Sequence, residues 1–177
     1  MIKVSIQAPE EKEWIEEMKK LPKLRTYQQL KFVLEREEYL ETIMDNEQRR
    51  RVTALRGGTN SLRIEVGRWK GESLQDRTCT LCAKREIEDE VHVLLCCSAY
   101  ARESMELYKN IQIATDYDLN SMRGDQEWLL HTLIGIGCEQ RRKRHLIQLE
   151  VAKFVEVMFR KRARILDRIQ DHVDTRD

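Results

Sequence analysis

Cys79, Cys82, His92 and Cys97 are the residues of this chain best suited to do chemistry together. They lie in the stretch R-T-C-T-L-C-A-K-R-E-I-E-D-E-V-H-V-L-L-C-C-S, from Arg77 to Ser98, with the spacing C-x2-C-x9-H-x4-C. Two thiolates on a tight turn, then an imidazole and a third thiolate, make a closed tetrahedral donor set of the kind zinc takes in structural sites. A full set leaves no open position for water, which argues against catalytic zinc. Cysteines also serve as small buried hydrophobes in a reducing compartment, and Cys96 fits that use. A lone C-x-x-C can be a redox pair. A histidine and a cysteine at finger-like distance, with no strand–helix unit around the pair, speak against that.

The fourth ligand can be argued two ways. In a straight helix, residues four apart share a face and residues five apart do not, which favours Cys96 as the partner of His92. Ser98, however, reads as the N-cap of a new helix from Ala99 to Ile111. A cap residue is non-helical, so the preceding helix should end near Cys96 and free Cys97 to turn back. On these grounds alone Cys97 is preferred by a modest margin.

Three adjacent acids, Glu88, Asp89 and Glu90, precede the histidine. Neighbours on a helix point in different directions, so they do not make one catalytic site. They are expected to complement the dipole of the helix carrying His92. One of them can also accept the second ring N–H of His92 and orient it as a ligand. A polymerase or nuclease needs carboxylates gathered around magnesium. The sequence has no Asp-Asp pair, no phosphate-cradling glycine loop and no nucleophile elbow. The expectation is a protein without catalytic activity.

Binding fits better. Arg49, Arg50, Arg51, Arg56, Arg63, Arg68, Lys70 and Arg77 precede the first ligand, Cys79, with Trp69 among them. From Arg49 to Lys70 there are seven basic residues and one acid, Glu65. Basic side chains track a phosphate backbone, and an aromatic plane gives a base something to stack on. Zinc knuckles bind single-stranded RNA in this way. The plainer reading is that the arginines form a solvated face and Trp69 packs in the core. A second basic segment, from Arg141 to Arg168, has ten basic residues and three acids. It holds R-R-K-R at Arg141–Arg144, a weak nuclear-import pattern.

The elements that must position these residues are mostly helices. Charged residues make up 36% of the chain and aromatics 6%, with nine glycines and prolines together, a profile of a soluble helical protein. At 177 residues one core is expected, with segments 1–56 (helical), 57–98 (basic loop and knuckle) and 99–177 (helical) in one domain. Ile2, Val4 and Ile6 alternate and leave a short strand or a loose arm equally open. A helix opens at Pro9 and ends before Pro22. Thr26 caps a second, carrying Tyr27, Leu30, Val33, Leu34 and Leu40 to about Met44. Asn46 caps a third, ending at Arg56 before Gly57-Gly58. Gly57 to Thr78 reads as loop with extended pieces. Short helices follow over Glu88–Cys96 and Ala99–Ile111, then one from Asp125 to about Ile136. A long helix from Glu139 to about Asp171 carries Ile147, Val151, Phe154, Val155, Met158, Ile165, Leu166 and Ile169 on one face. With no signal peptide and no run near the roughly eighteen apolar residues of a membrane span, the expectation is an intracellular protein with reduced or metal-bound thiols.

R-I-E-V-G-R at Arg63–Arg68, C-x-x-C, E-D-E-x-H at Glu88–His92 and C-x-x-Y at Cys97–Tyr100 together resemble the cysteine–histidine region of LINE-type (non-LTR) retrotransposon polyproteins, downstream of their reverse transcriptase. The similarity runs from K-L-R-T-Y at Lys23–Tyr27 to V-A-K-F-V at Val151–Val155. The metal spacing is common to many fingers; R-I-E-V-G-R with E-D-E-x-H is more specific. In that family the fourth ligand lies five residues after the histidine, which selects Cys97, and a proline usually follows it, where this chain has Ser98. The resemblance implies a zinc knuckle in a nucleic-acid-binding segment, favouring RNA or single strands. The polymerase signature is missing, so it also implies a fragment or a recruited remnant. The alternative is a zinc-stapled scaffold whose helices bind a protein partner.

Overall fold

The apolar stripe at the end of the sequence builds the longest element, and the other helices are laid along it. In the computed structural model, residues 9–122, 124–135 and 137–174 are described, without the side chains of 170 and 172–174. The helices are α1 (Pro9–Lys19), α2 (Arg25–Leu30), α3 (Tyr39–Thr42), α4 (Asn46–Arg56), α5 (Arg63–Trp69), α6 (Ala101–Thr115), α7 (Gln126–Ile134) and α8 (Arg141–Asp174). The fold is mainly helical. No strand forms among the described residues, although Thr78 and Ile87 make an isolated antiparallel bridge. The alternating segment around Val4 lies outside the described residues.

Helices α3, α4, α6 and α7 pack on α8. Ile147, Val151, Phe154, Val155 and Met158 are buried there, as their spacing requires. Further on the stripe emerges: Ile165 and Leu166 are half-buried and Ile169 is exposed. One core joins Leu30 and Leu55, Leu62 and Cys79, and Leu133 and Val155, so the three sequence segments share it. No described helix is long and apolar enough to cross a membrane.

Several expected elements shift. The helix from Tyr27 to Met44 is broken after Leu30, and Lys31 is extended. The acids near the break are drawn to different helices. Glu37 pairs with Arg56 on α4, and Glu38 with Arg144 and His145 on α8. Lys31 is itself buried against Glu37. Val33 and Leu34, expected on a buried face, are exposed together with Phe32. The cap of α4 is Asp45 rather than Asn46, with Asp45 Oδ1 accepting the Gln48 N–H at 2.8 Å. Asp125 caps α7 in the same way. Ser98 starts a single tight turn, and α6 begins at Ala101 with no side-chain cap.

The segment from Gly57 to Thr78 is not simply loop, because it contains α5. Two features hid that helix. Gly67 lowers helix propensity mid-element, and Glu65 is fully buried where an apolar residue would have revealed the period. Gly58, at φ +62°, is needed for a different reason: a Cβ there would lie 1.9 Å from the Lys23 carbonyl oxygen.

Candidate metal centre

The donor set begins with a turn. Cys79 Sγ accepts the Leu81 N–H at 3.4 Å, which folds the C-x-x-C segment back on itself. The Cys79 N–H donates to Glu86 O at 2.8 Å, and the Glu88 N–H to Arg77 O at 3.0 Å. These bonds close the turn into a hairpin-like knuckle, with Arg85 in the left-handed region at its tip. The chain then enters a helical turn that opens into i→i+5 bonding over His92–Cys96, with Cys97 N–H donating to His92 O at 2.7 Å.

That wide turn decides between the two cysteines. Residues five apart do not share a face in an α-helix, but in a π-turn the fifth residue comes round beneath the first. Cys97 therefore returns to His92. The ligand atoms of Cys79, Cys82, His92 and Cys97 all lie within 4.8 Å of one another. Cys82 Sγ is 3.4 Å from His92 Nε2, and Cys79 Sγ is 3.9 Å from Cys97 Sγ. Cys96 points away, accepting from Gln126 Nε2 at 3.5 Å, and Cys138 is buried beside Tyr117. Burial pushes the Cys79 and Cys97 thiols up, Cys97 to about 12, so a cation must displace their protons to bind. The arrangement can hold one metal ion in a closed set of three sulfurs and one nitrogen.

The histidine is oriented by a residue the sequence did not single out. His92 Nδ1 lies 3.0 Å from Glu86 Oε2, leaving Nε2 for the metal. The three acids expected to supply this contact go elsewhere. Asp89 Oδ1 accepts the His92 backbone N–H at 2.8 Å and caps its helical turn. Glu90 is buried, takes both oxygens to Arg25 at 2.7 Å, and accepts from Thr26 and Asn60. Glu88 is buried against Arg162 on α8 at 2.6 Å and also accepts the Arg63 N–H. Three consecutive acids thus fasten the knuckle to α2, to its own turn and to α8. Arg162 was legible as an oddity: it stands four residues after Met158 and three before Ile165, inside the apolar stripe.

R-I-E-V-G-R has a structural meaning too. The Ile64 N–H donates to Glu88 O, and buried Glu65 meets Arg25 and Arg68. A Cβ at Gly67 would lie 2.6 Å from Arg77 Cγ. Arg77 donates to the Glu72 and Ile64 carbonyls, so it clamps α5 to the knuckle.

Most of the basic residues before the knuckle are engaged by carboxylates or carbonyls of the chain itself. Arg56 is buried, paired with Glu37 at 2.8 Å and set over Tyr39, so it cannot reach a phosphate; this corrects its expected placement. Arg49 donates to the Leu40 and Ile43 carbonyls. Arg63 chelates Glu72, and Arg68 pairs with Glu65 at 2.8 Å. Arg50 is exposed beside Glu47. Lys70 is exposed, and Trp69 is 63% exposed, so the alternative that placed Trp69 in the core does not hold. At the tip of the knuckle, Lys84 and Arg85 are exposed as well. No family model, curated protein or solved structure matches this chain at a significant level.

Proposed function

We propose that this protein is a zinc-stapled helical module that binds single-stranded nucleic acid, RNA in the first instance, and has no catalytic activity of its own. The metal is zinc on the chemistry of the donors. Three cysteines and one histidine suit it, and bonds of about 2.3 Å at tetrahedral angles space the sulfurs by about 3.8 Å, close to the 3.9 Å between Cys79 and Cys97. The resemblance of R-I-E-V-G-R and E-D-E-x-H to the LINE-type cysteine–histidine region supports the same reading and makes the chain a relative of such a segment.

One observation carries the nucleic-acid reading: Trp69 is an exposed indole at the end of α5, flanked in sequence by Arg68 and Lys70. The exposed indole presents its ring face to solvent, open to a stacking partner. Beside cations, its flat face is a platform for an unstacked base. The test is a titration of labelled single-stranded RNA and DNA against the zinc-loaded chain at two salt concentrations. Backbone contact makes affinity fall with salt. No binding at low salt sinks the reading.

A second reading has an observation of its own. Phe32, Val33 and Leu34 form a consecutive exposed apolar run between α2 and α3. Such a run fits a protein partner, and then zinc only staples the scaffold.

A further inference from the structure

A cavity of about 430 Å³ opens directly beside the metal centre, with Cys96 and Cys97 on its near side and α6 and the start of α7 on the other. Its size falls within the roughly 300–1,000 Å³ of small-molecule sites. Leu95, Met105, Tyr108 and Leu129 give the lining apolar and aromatic surface. Tyr108 and Leu129 are buried and form a fixed wall, while Met105 is 65% exposed at the mouth. The lining also carries hydrogen-bonding groups: the Gln126 amide, the Ser104 hydroxyl and the Lys84 ammonium. One N–H of the Gln126 amide goes to Cys96, which leaves the second N–H as a donor and the oxygen as an acceptor.

The charge balance narrows the ligand. The chain has 31 acidic residues, yet none is among the described residues that line this cavity. Lys84 gives an anion a partner here. A flat ring with donor and acceptor groups on its edge, attached to an anion, matches each part of the lining. The ring faces meet the apolar wall and the polarizable Met105 thioether, the edge meets Gln126 and Ser104, and the anion meets Lys84.

We propose that this cavity is a pocket for one unstacked nucleobase of a bound single strand, with Lys84 on the adjoining phosphate. The inference rests on the nucleic-acid reading above and adds to it a second base site, formed by the knuckle together with α6 and α7 and separate in sequence from Trp69. Base preference would arise here, because hydrogen bonds to a base edge discriminate where stacking does not.

The experiment uses the full zinc-loaded chain and four homopolymeric RNA oligonucleotides, followed by fluorescence anisotropy. Ala101→Trp fills the cavity from an exposed position on its lining. It should weaken binding of the preferred homopolymer about tenfold or more and leave the salt slope unchanged. Gln126→Ala, at an exposed position, should leave folding intact and level the preference among the four. In the parent protein the Met105 methyl NMR signal should move on adding the preferred oligonucleotide, and move at much higher concentration with the free mononucleotide. The pocket is refuted if Gln126→Ala and a folded Ala101→Trp bind all four oligonucleotides as the parent does. It is equally refuted if the Met105 signal answers to an apolar peptide and not to RNA. Parent protein that binds none of the four refutes the nucleic-acid reading itself, and the pocket with it.

Discussion

Glu88 Oε1 and Arg162 Nη1 lie 2.6 Å apart although 74 residues separate them in the chain, and both side chains are shut off from water. The same carboxylate accepts the Arg63 N–H at the start of α5, and the same guanidinium donates to Ser61 O. One ion pair thus ties the knuckle, α5 and α8 together. Breaking such a pair from one side leaves the other charge buried and alone.

Arg162→Met should therefore destabilise the zinc-loaded protein by about 3–5 kcal/mol. Adding Glu88→Gln removes the stranded charge and should restore part of that loss. Urea unfolding of the single and double variants checks this. A single variant with parental stability would mean that Glu88 finds water or another partner.

Much of this was legible in the sequence because it is local. The C-x2-C-x9-H-x4-C spacing announced the four donors, and the stripe from Ile147 to Met158 announced α8. What was not legible depends on long-range pairing. Glu65 occupies a core position as a charged residue and disguised the pattern of α5, while the buried role of Arg162 depends on Glu88, far off in the chain. Glu37 and Glu38 are drawn to partners on α4 and α8, which divides what local propensity reads as one helix. Glu86 orients His92 only because the knuckle folds back on itself, and no helical spacing relates the two. Arg56 looked like a surface cation because its partner, Glu37, lies nineteen residues earlier.

Zinc analysis should find one ion per chain. Cys79→Ser, Cys82→Ser, His92→Ala and Cys97→Ser should each lose it and disorder the surroundings of residues 77–98, since metal binding supplies folding free energy to such sites. Cys96→Ser and Cys138→Ser should keep the ion. Glu86→Gln should keep it with affinity lowered about 10–100-fold, as for other residues that orient a ligating histidine. Loss of metal from Cys96→Ser with retention in Cys97→Ser would reverse the assignment.

Glu38 gives a pH dependence. Burial pushes its carboxyl up, but Arg144 and His145 more than offset this and hold it below the usual value of 4.5. A depressed carboxylate contributes stability above its unfolded pKa, and loses it as pH falls through the folded value. Glu38→Gln should thus cost about 1 kcal/mol near neutrality, with the difference from the parent vanishing once pH drops well below 4.5. Thermal melts at several pH values read this directly. A difference that persists in acid would assign the effect to packing.

Arg56 separates fold from binding. Arg56→Ala should lower the melting temperature, because it strands Glu37 and uncovers Tyr39, and should leave the affinity of the folded fraction for RNA unchanged. Differential scanning calorimetry with an RNA titration on the same sample distinguishes the two effects. Weaker binding at unchanged stability would place Arg56 at the interface after all.

The most direct test of the central claim is the binding of single-stranded RNA by the zinc-loaded parent and by Trp69→Ala, each measured over a range of salt. The parent's affinity should fall linearly on a log–log plot, with a slope of about −0.7 per phosphate contacted. Trp69→Ala should keep that slope and the parental melting temperature, and lose about 1–3 kcal/mol of affinity. Equal affinity for RNA in the two proteins, or a fall in melting temperature as the sole effect of Trp69→Ala, would contradict the account and leave the protein-binding scaffold in its place.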